Sequence, residues 1–309
     1  MKIITDRKFH IEEATAVAIG KFDSLHLGHQ LILKKLKEDA GDTLKTLVVS
    51  FSPSPEVYFK RGSSKFALTE EEKQKNLEAY GIDYYVLFPF DKQTAELEPE
   101  EFLEEILLGQ MNMKLLVAGD DLSFGKGAHG NVDFVMEKSV RYGFRVHVCP
   151  KLQYDGREIS ATYVRESLME GDLEKCLKLL GHDYEVEGIV EQGTRLGRTL
   201  NVPTCNIITN KEKLLPPKGV YFTEVTLDEK KYYGVTNVGT KPTVSEEGRM
   251  GVETHLLDFD EDVYGKELKV KFRYFHRPER KFESVDALKL QLQDDIAQAS
   301  AYFKKDAAN

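Results

Sequence analysis

Apolar runs alternate with amphipathic stretches through the first half of this 309-residue chain. The runs at 14–19, 44–51, 84–88, 115–118 and 145–148 have strand length and are largely apolar. Helical spacing lies between them near 28–38, 69–80 and 99–108, and again at 162–170 and 173–180. This alternation predicts a parallel sheet covered by helices, a doubly wound α/β domain that binds ligand at the carboxyl ends of its strands.

After Gly181 the pattern changes to short β-rich runs punctuated by Gly, Pro and Asn, at 184–191, 219–227, 231–238, 252–259 and 268–275. These predict an antiparallel barrel or sandwich. In the tail, Val285, Leu288, Leu292, Ile296 and Ala299 recur at three or four residues, so a helix over 284–303 should pack on it. The shift in composition divides the chain into domains 1–182 and 183–309.

Charge and cysteine content narrow the classes. A formal net charge of −9 disfavours a general nucleic-acid binder, which needs a clustered basic surface, but permits a local site for a small anion. There is no apolar tract of membrane-spanning length, and Lys2, Asp6, Arg7 and Lys8 interrupt the N-terminus before a signal-like core can form. Cys149, Cys176 and Cys205 are far apart, without the spacing of a disulfide framework or zinc site. A cytoplasmic protein without membrane or nucleic-acid partners is expected, and self-association is left open.

The segment GKFDSLHLGH (20–29) leaves a strand and enters a helix, where unpaired N–H groups and the helix dipole favour an anion. Gly28 allows close backbone approach, and His26 and His29, three apart, can share one face of the first turn and donate to phosphoryl oxygens. The segment resembles the GxFDGxHxGH form of the bacterial bifunctional riboflavin kinase/FMN adenylyltransferase family, within the nucleotidylyltransferase superfamily. Two later segments, AGDDLSFGKG (118–127) and ISATYVR (159–165), are similar to that family's GxDFxFGKG and ISSTxxR motifs. The resemblance implies a Rossmann-like domain with His26, His29 and Arg165 as catalytic groups. It further implies Gly20, Phe22, Asp23, Gly28, Asp121, Ser160 and Thr162 as nucleotide contacts and Phe124 as a flavin contact. Read locally, Ser160 and Thr162 could equally be ordinary helix caps. Ser24, Ser52, Ser54, Leu122, Ala128 and Ala161 stand where the family usually has Gly, Asp, His, Phe, Arg and Ser.

In the second half, GTRLGRTLNVPTCN (193–206) bears glycine but is not a Walker loop. It resembles the GxxxGrxLGfPTaN signature of riboflavin kinases, with Asn201 for the usual Gly. NVGTKPT (237–243), GVETHLLDF (251–259) and RPERKF (277–282) are similar to further segments of the same family. The resemblance implies a small β-barrel kinase in which Gly193, Gly197 and Arg198 hold nucleotide phosphates, Thr204 and Asn206 hold Mg²⁺ or Mn²⁺, Glu253 is the base, and Arg277 contacts flavin. Hydroxyl and carboxamide oxygens suit such a hard cation.

The resulting expectation is an enzyme that phosphorylates riboflavin to FMN and adenylylates FMN to FAD, with ATP as substrate of both steps. The alternatives are a chain that keeps only one of these activities, or a non-catalytic flavin-binding regulator.

Overall fold

The structure, a computed structural model, describes residues 1–61, 65–191, 202–240 and 250–306. The chain forms two compact units, Met1–Tyr163 and Val164–Asn309.

The first unit contains six parallel strands, β1 (Lys2–Ile4), β2 (Thr15–Ile19), β3 (Lys45–Ser52), β4 (Tyr84–Pro89), β5 (Met113–Gly119) and β6 (Arg145–Cys149), in the order β1-β4-β3-β2-β5-β6. Because strand side chains alternate, Val17, Ile19, Leu47, Val49, Val86 and Phe88 fill one apolar layer, while Ala16, Ala18, Val48, Tyr85 and Val117 fill the other. Both faces of the central strands β2 and β3 are covered, which explains why they read as largely apolar sequence. The helices are α1 (Leu27–Ala40), α2 (Pro55–Tyr58), α3 (Glu70–Ala79), α4 (Lys92–Glu96), α5 (Pro99–Glu101) and α6 (Val132–Tyr142). A two-stranded hairpin, β7 (Gln153–Tyr154) with β8 (Arg157–Glu158), leads into α7 (Ala161–Met169), which runs across the division between the units.

The expected helix at 99–108 is only briefly α. From Phe102 to Gln110 it is a π-helix, in which Met111 N–H donates to Ile106 O five residues back. Helix α6 was not anticipated. Its end signals are present, an Asn131 side-chain cap and a left-handed Gly143, but exposed Met136 and Val140 blur the apolar stripe between them.

In the second unit, α8 (Leu173–Leu180) precedes strands β9 (Glu185–Glu191), β10 (Cys205–Ile208), β11 (Gly219–Leu227), β12 (Lys230–Thr240), β13 (Met250–Leu256) and β14 (Glu267–Arg277). They close as a barrel in the order β10-β13-β12-β11-β14-β9, which settles the choice between barrel and sandwich. Strand β13 ends earlier than the apolar run suggests, because Asp258 turns the chain with φ 55°. Helix α9 (Val285–Asp306) lays Ala299 and Phe303 against Val220, Phe222 and Val235.

Candidate active sites

In the parallel sheet the chain leaves β2 for β3 on one side, while β5 lies on the other. The carboxyl ends of β2 and β5 therefore flank a topological switch point, where an open α/β sheet accommodates ligand. The loop after β2 is strained: Phe22 and Leu25 have φ of 51° and 46°, a region that bulky side chains rarely occupy. Contacts from outside the loop capture its carbonyls. Ser50 Oγ donates to Gly20 O at 2.7 Å, Lys73 Nζ to Lys21 O at 3.2 Å, Leu68 N–H to Asp23 O at 2.7 Å, and Gln30 Nε2 to Leu25 O at 2.8 Å. In a trans peptide the following N–H points the opposite way, so the amides of Lys21, Phe22, Ser24 and His26 turn away from these anchors. Such oriented amides suit an oxyanion.

His26 caps α1, its Nδ1 accepting from the His29 N–H at 3.3 Å. The two imidazoles stack with centroids 3.8 Å apart and planes 16° off parallel, and the Phe22 ring lies 4.8 Å from His29. A Cβ on Gly28 would come within 3.1 Å of His26 Cε1, so this glycine makes room for the imidazole itself. Burial lowers the His26 pKa to about 4, against a smaller opposing pull from Asp121. Burial, helped by the nearby His26, Lys73 and Lys21, also holds His29 well below its ordinary value. Both rings are neutral at pH 7. His26 Nδ1 is an acceptor, and His29 Nδ1 is buried without a hydrogen-bond partner, so the economical tautomer of each ring carries its proton on Nε2. The pair therefore offers two N–H donors.

The other two motifs border this turn. Gly119 ends β5 and leaves room for Asp121, whose Oδ1 lies 2.8 Å from the position a Cβ would take. The Ile159 carbonyl stands 4.0 Å from the Cβ position of Gly28. Ser160 Oγ accepts from Tyr163 N–H at 3.2 Å, the cap geometry. Thr162 and Arg165 lie on α7, in the first and second unit respectively.

In the barrel, register assembles the second site. Asn206 of β10 stands opposite Glu253 of β13, which stands opposite Asn237 of β12, so the three side chains share one face. His255, two residues along β13, belongs to the same face, and Thr204 stands just before β10, two residues from Asn206. The other face is the barrel interior, where the buried hydroxyls of Thr223, Thr236 and Thr254 are linked at 2.7 and 2.9 Å. Asn237 Nδ2 donates to Glu279 Oε1 at 3.1 Å, and a Cβ on Gly239 would collide with that oxygen. His255 Nδ1–H donates to Pro203 O at 2.8 Å, and burial lowers its pKa against that bond. A cavity of about 500 Å³ opens beside Thr204 and Cys205, lined by Val190, Leu256, Phe259 and Tyr264 and rimmed by Asp260, Glu261 and Asp262.

These two assemblies coincide with two family profiles: residues 8–163 match that of FAD synthetase, and residues 180–303 that of riboflavin kinase. Bifunctional riboflavin kinase/FMN adenylyltransferase of Escherichia coli K12 is 36% identical over 94% of this chain and 94% of its own length. The Listeria monocytogenes protein of the same description is 34% identical over 94% and 92%. The chain belongs to the bifunctional riboflavin kinase/FMN adenylyltransferase family. A crystal structure described as a macrolide-efflux protein from Streptococcus pneumoniae superposes with TM-score 0.86 at 28% identity, over 96% of this chain and 97% of that one. No described helix here is long and apolar enough to cross a membrane.

Two residues of the family motifs are engaged elsewhere. The Phe124 ring is buried against Phe102 and Phe134, with centroids 5.4 and 6.0 Å away, and so belongs to the core. Arg277 is bidentate to the fully buried Asp295 of α9 at 2.9 and 2.6 Å, tying that helix to β14. Gly193, Gly197, Arg198, Asn201 and Lys241 lie outside the described residues. Several residues at the sites were not assigned from the sequence: Ser50 and Lys73 beneath the loop, and Asn237, His255 and Glu279 beside Glu253. The last three stand within the recognised motifs, but nothing local tells which of them face Glu253. An aromatic group was also missed. Phe51, near the end of β3, and Tyr58 and Phe59 at the end of α2 surround Phe90, just past β4, with centroids 5.6, 5.3 and 5.9 Å from it, and Tyr58 and Phe59 are exposed.

Proposed function

We propose that residues 183–309 phosphorylate riboflavin to FMN and that residues 1–182 adenylylate FMN to FAD, in the cytoplasm and with ATP in both steps. The observation that carries the second step is the stacked, neutral histidine pair at the switch point. An FMN phosphate oxygen attacks the α-phosphorus of ATP, and the bond to pyrophosphate breaks. Charge grows on the departing pyrophosphate, where the His26 and His29 N–H groups and the loop amides donate. Gly20, Phe22, Asp23, Gly28 and Asp121 shape the nucleotide pocket, and Ser160, Thr162 and Arg165 attend the triphosphate. The exposed rings of Tyr58 and Phe59, more than the buried Phe124, suit a flavin face.

In the kinase, the Glu253 carboxylate takes the proton of the terminal ribityl hydroxyl as that oxygen attacks the γ-phosphorus, and ADP departs. Asn206 stands opposite Glu253 and Thr204 lies just before the same strand, so a hydroxyl and a carboxamide oxygen would hold Mg²⁺ or Mn²⁺ there, a neutral donor set that fits a hard cation. When bound, the cation neutralises phosphate charge. The 500 Å³ cavity next to Thr204 suits the adenine end of ATP, with Gly193, Gly197 and Arg198 at the phosphates. The three cysteines are buried and free, as suits a reducing compartment.

The test assays each step separately in the full chain. His29→Ala should lower FAD formation about 10²-fold and spare FMN formation. Glu253→Gln should do the reverse, lowering riboflavin phosphorylation about 10²- to 10⁴-fold with little change in flavin affinity. A folded variant that turns over at the wild-type rate removes that residue from its role.

A further inference from the structure

Lys73 is a buried charge that the adenylyl-transfer chemistry above does not use. It leaves α3, is 7% exposed, pairs with Glu70 at 2.8 Å and lies 5.7 Å above the Tyr85 ring. Its third contact reaches the active-site loop, where Nζ donates to Lys21 O at 3.2 Å. That carbonyl belongs to the peptide whose N–H is on Phe22, the residue held at φ 51°. The Phe22 ring is fully buried and packs 4.8 Å from His29.

The base of Lys73 is itself fixed. Thr69 and Glu72 form a reciprocal cap at the start of α3, and Leu68, just before it, donates to Asp23 O at 2.7 Å. Helix α3 and the loop are thus joined at two carbonyls, one through a rigid backbone and one through an ammonium. Burying an ammonium is costly, and a solvent-facing turn without strain would have no use for such an anchor.

We propose that Lys73 is a positioning residue for adenylyl transfer: by holding the Lys21 carbonyl it keeps the strained Phe22 turn closed, so that the Phe22 ring holds His29 stacked on His26. The inference rests on the histidine pair being the adenylyl-transfer site. An ammonium that serves only to fill the core would affect folding but not the division between kcat and KM.

The test compares Lys73→Met, Lys73→Gln and Lys73→Arg in the full chain, measuring FAD formation from FMN across ATP concentrations. Riboflavin phosphorylation in the same preparations reports on the remainder of the molecule. Lys73→Met should lower kcat for FAD by about 10- to 10²-fold with KM for ATP within about threefold, the signature of misplaced groups. Lys73→Arg keeps both charge and donors and should return kcat to within about threefold of wild type. Glutamine is one bond shorter than lysine and should be as slow as methionine. If Lys73→Met does not fold, Lys73→Gln takes its place with the same expectation. The proposal is overturned by a wild-type kcat in the folded Met or Gln variant, by a loss carried wholly by KM, or by an Arg variant as slow as Met. A His29→Ala variant run alongside separates the two levels. If His29→Ala is fast, the site reading fails; if it is slow while Lys73→Met is fast, only the role of Lys73 fails.

Discussion

Gly28→Ala should separate stability from adenylyl transfer. Residue 28 lies in the first turn of α1, where alanine outdoes glycine by at most about 1 kcal/mol. The new methyl, however, would sit 3.1 Å from His26 Cε1 and 3.2 Å from Nδ1, closer than ordinary contact by a few tenths of an ångström. The imidazole cannot retreat onto His29, already stacked at 3.8 Å, so it must swing and stretch the 3.3 Å bond from the His29 N–H. Losing a bond of that kind costs about 1 kcal/mol and cancels the helical gain. Stability should therefore change by less than about 1 kcal/mol. A donor displaced by about half an ångström should slow FAD formation about tenfold, given that about 1 Å of misplacement can cost 10²-fold. The assay resolves FMN and FAD by chromatography after incubation with ATP and either riboflavin or FMN, beside a thermal melt. An unchanged rate of FAD formation, or an equal loss of both activities, would refute the idea that the imidazole needs the space at Gly28.

Two further outcomes follow from buried charge. His26 is held neutral with a pKa of about 4 against 6.5 when unfolded, so between those values the unfolded chain takes up the proton and the folded one does not. Stability should fall as pH drops through that window, by up to about 3 kcal/mol from this residue, and His26→Gln should flatten the slope; an unaltered slope counts against it. Asp295 is driven up by burial but held below its ordinary value by Arg277, Gln291 and His276, so its own contribution is lost only at lower pH. Asp295→Ala strands Arg277 and should cost about 3 kcal/mol, shifting the urea midpoint of kinase activity but not that of FAD formation. Coincident midpoints with wild type would show that the pair contributes nothing net.

Five of the parallel strands, five of the barrel strands and α9 were legible because each is a local rhythm of apolar positions, whereas β1 and β10 are too short to show one. So was the histidine pair, whose spacing places both rings on one helical turn wherever that helix sits. Family motifs supplied residue types, yet not which neighbour would claim them. The resemblance implies flavin contacts at Arg277 and Phe124, but it does not tell that Arg277 pairs with a buried carboxylate on α9 or that Phe124 packs between two other phenyl rings. The π-helix was illegible for a related reason, since its apolar residues fit an α-helix equally well until the Met111 N–H chooses Ile106.

By itself, then, the sequence determined the alternation of elements, the change of architecture near Gly181 and the residue types present at both candidate sites, because all three are written in residue type and short-range spacing. The tertiary structure alone decided what meets what. Strand order brings the ends of β2 and β5 together at the switch point, and barrel register sets Asn206, Glu253 and Asn237 in one row. Packing decides which charges are buried, and so keeps the two histidines neutral and places Lys73 beneath their loop. Contacts between residues distant in sequence depend on how whole elements close against one another, and burial, which sets the energy of every charge, does not exist until they have done so.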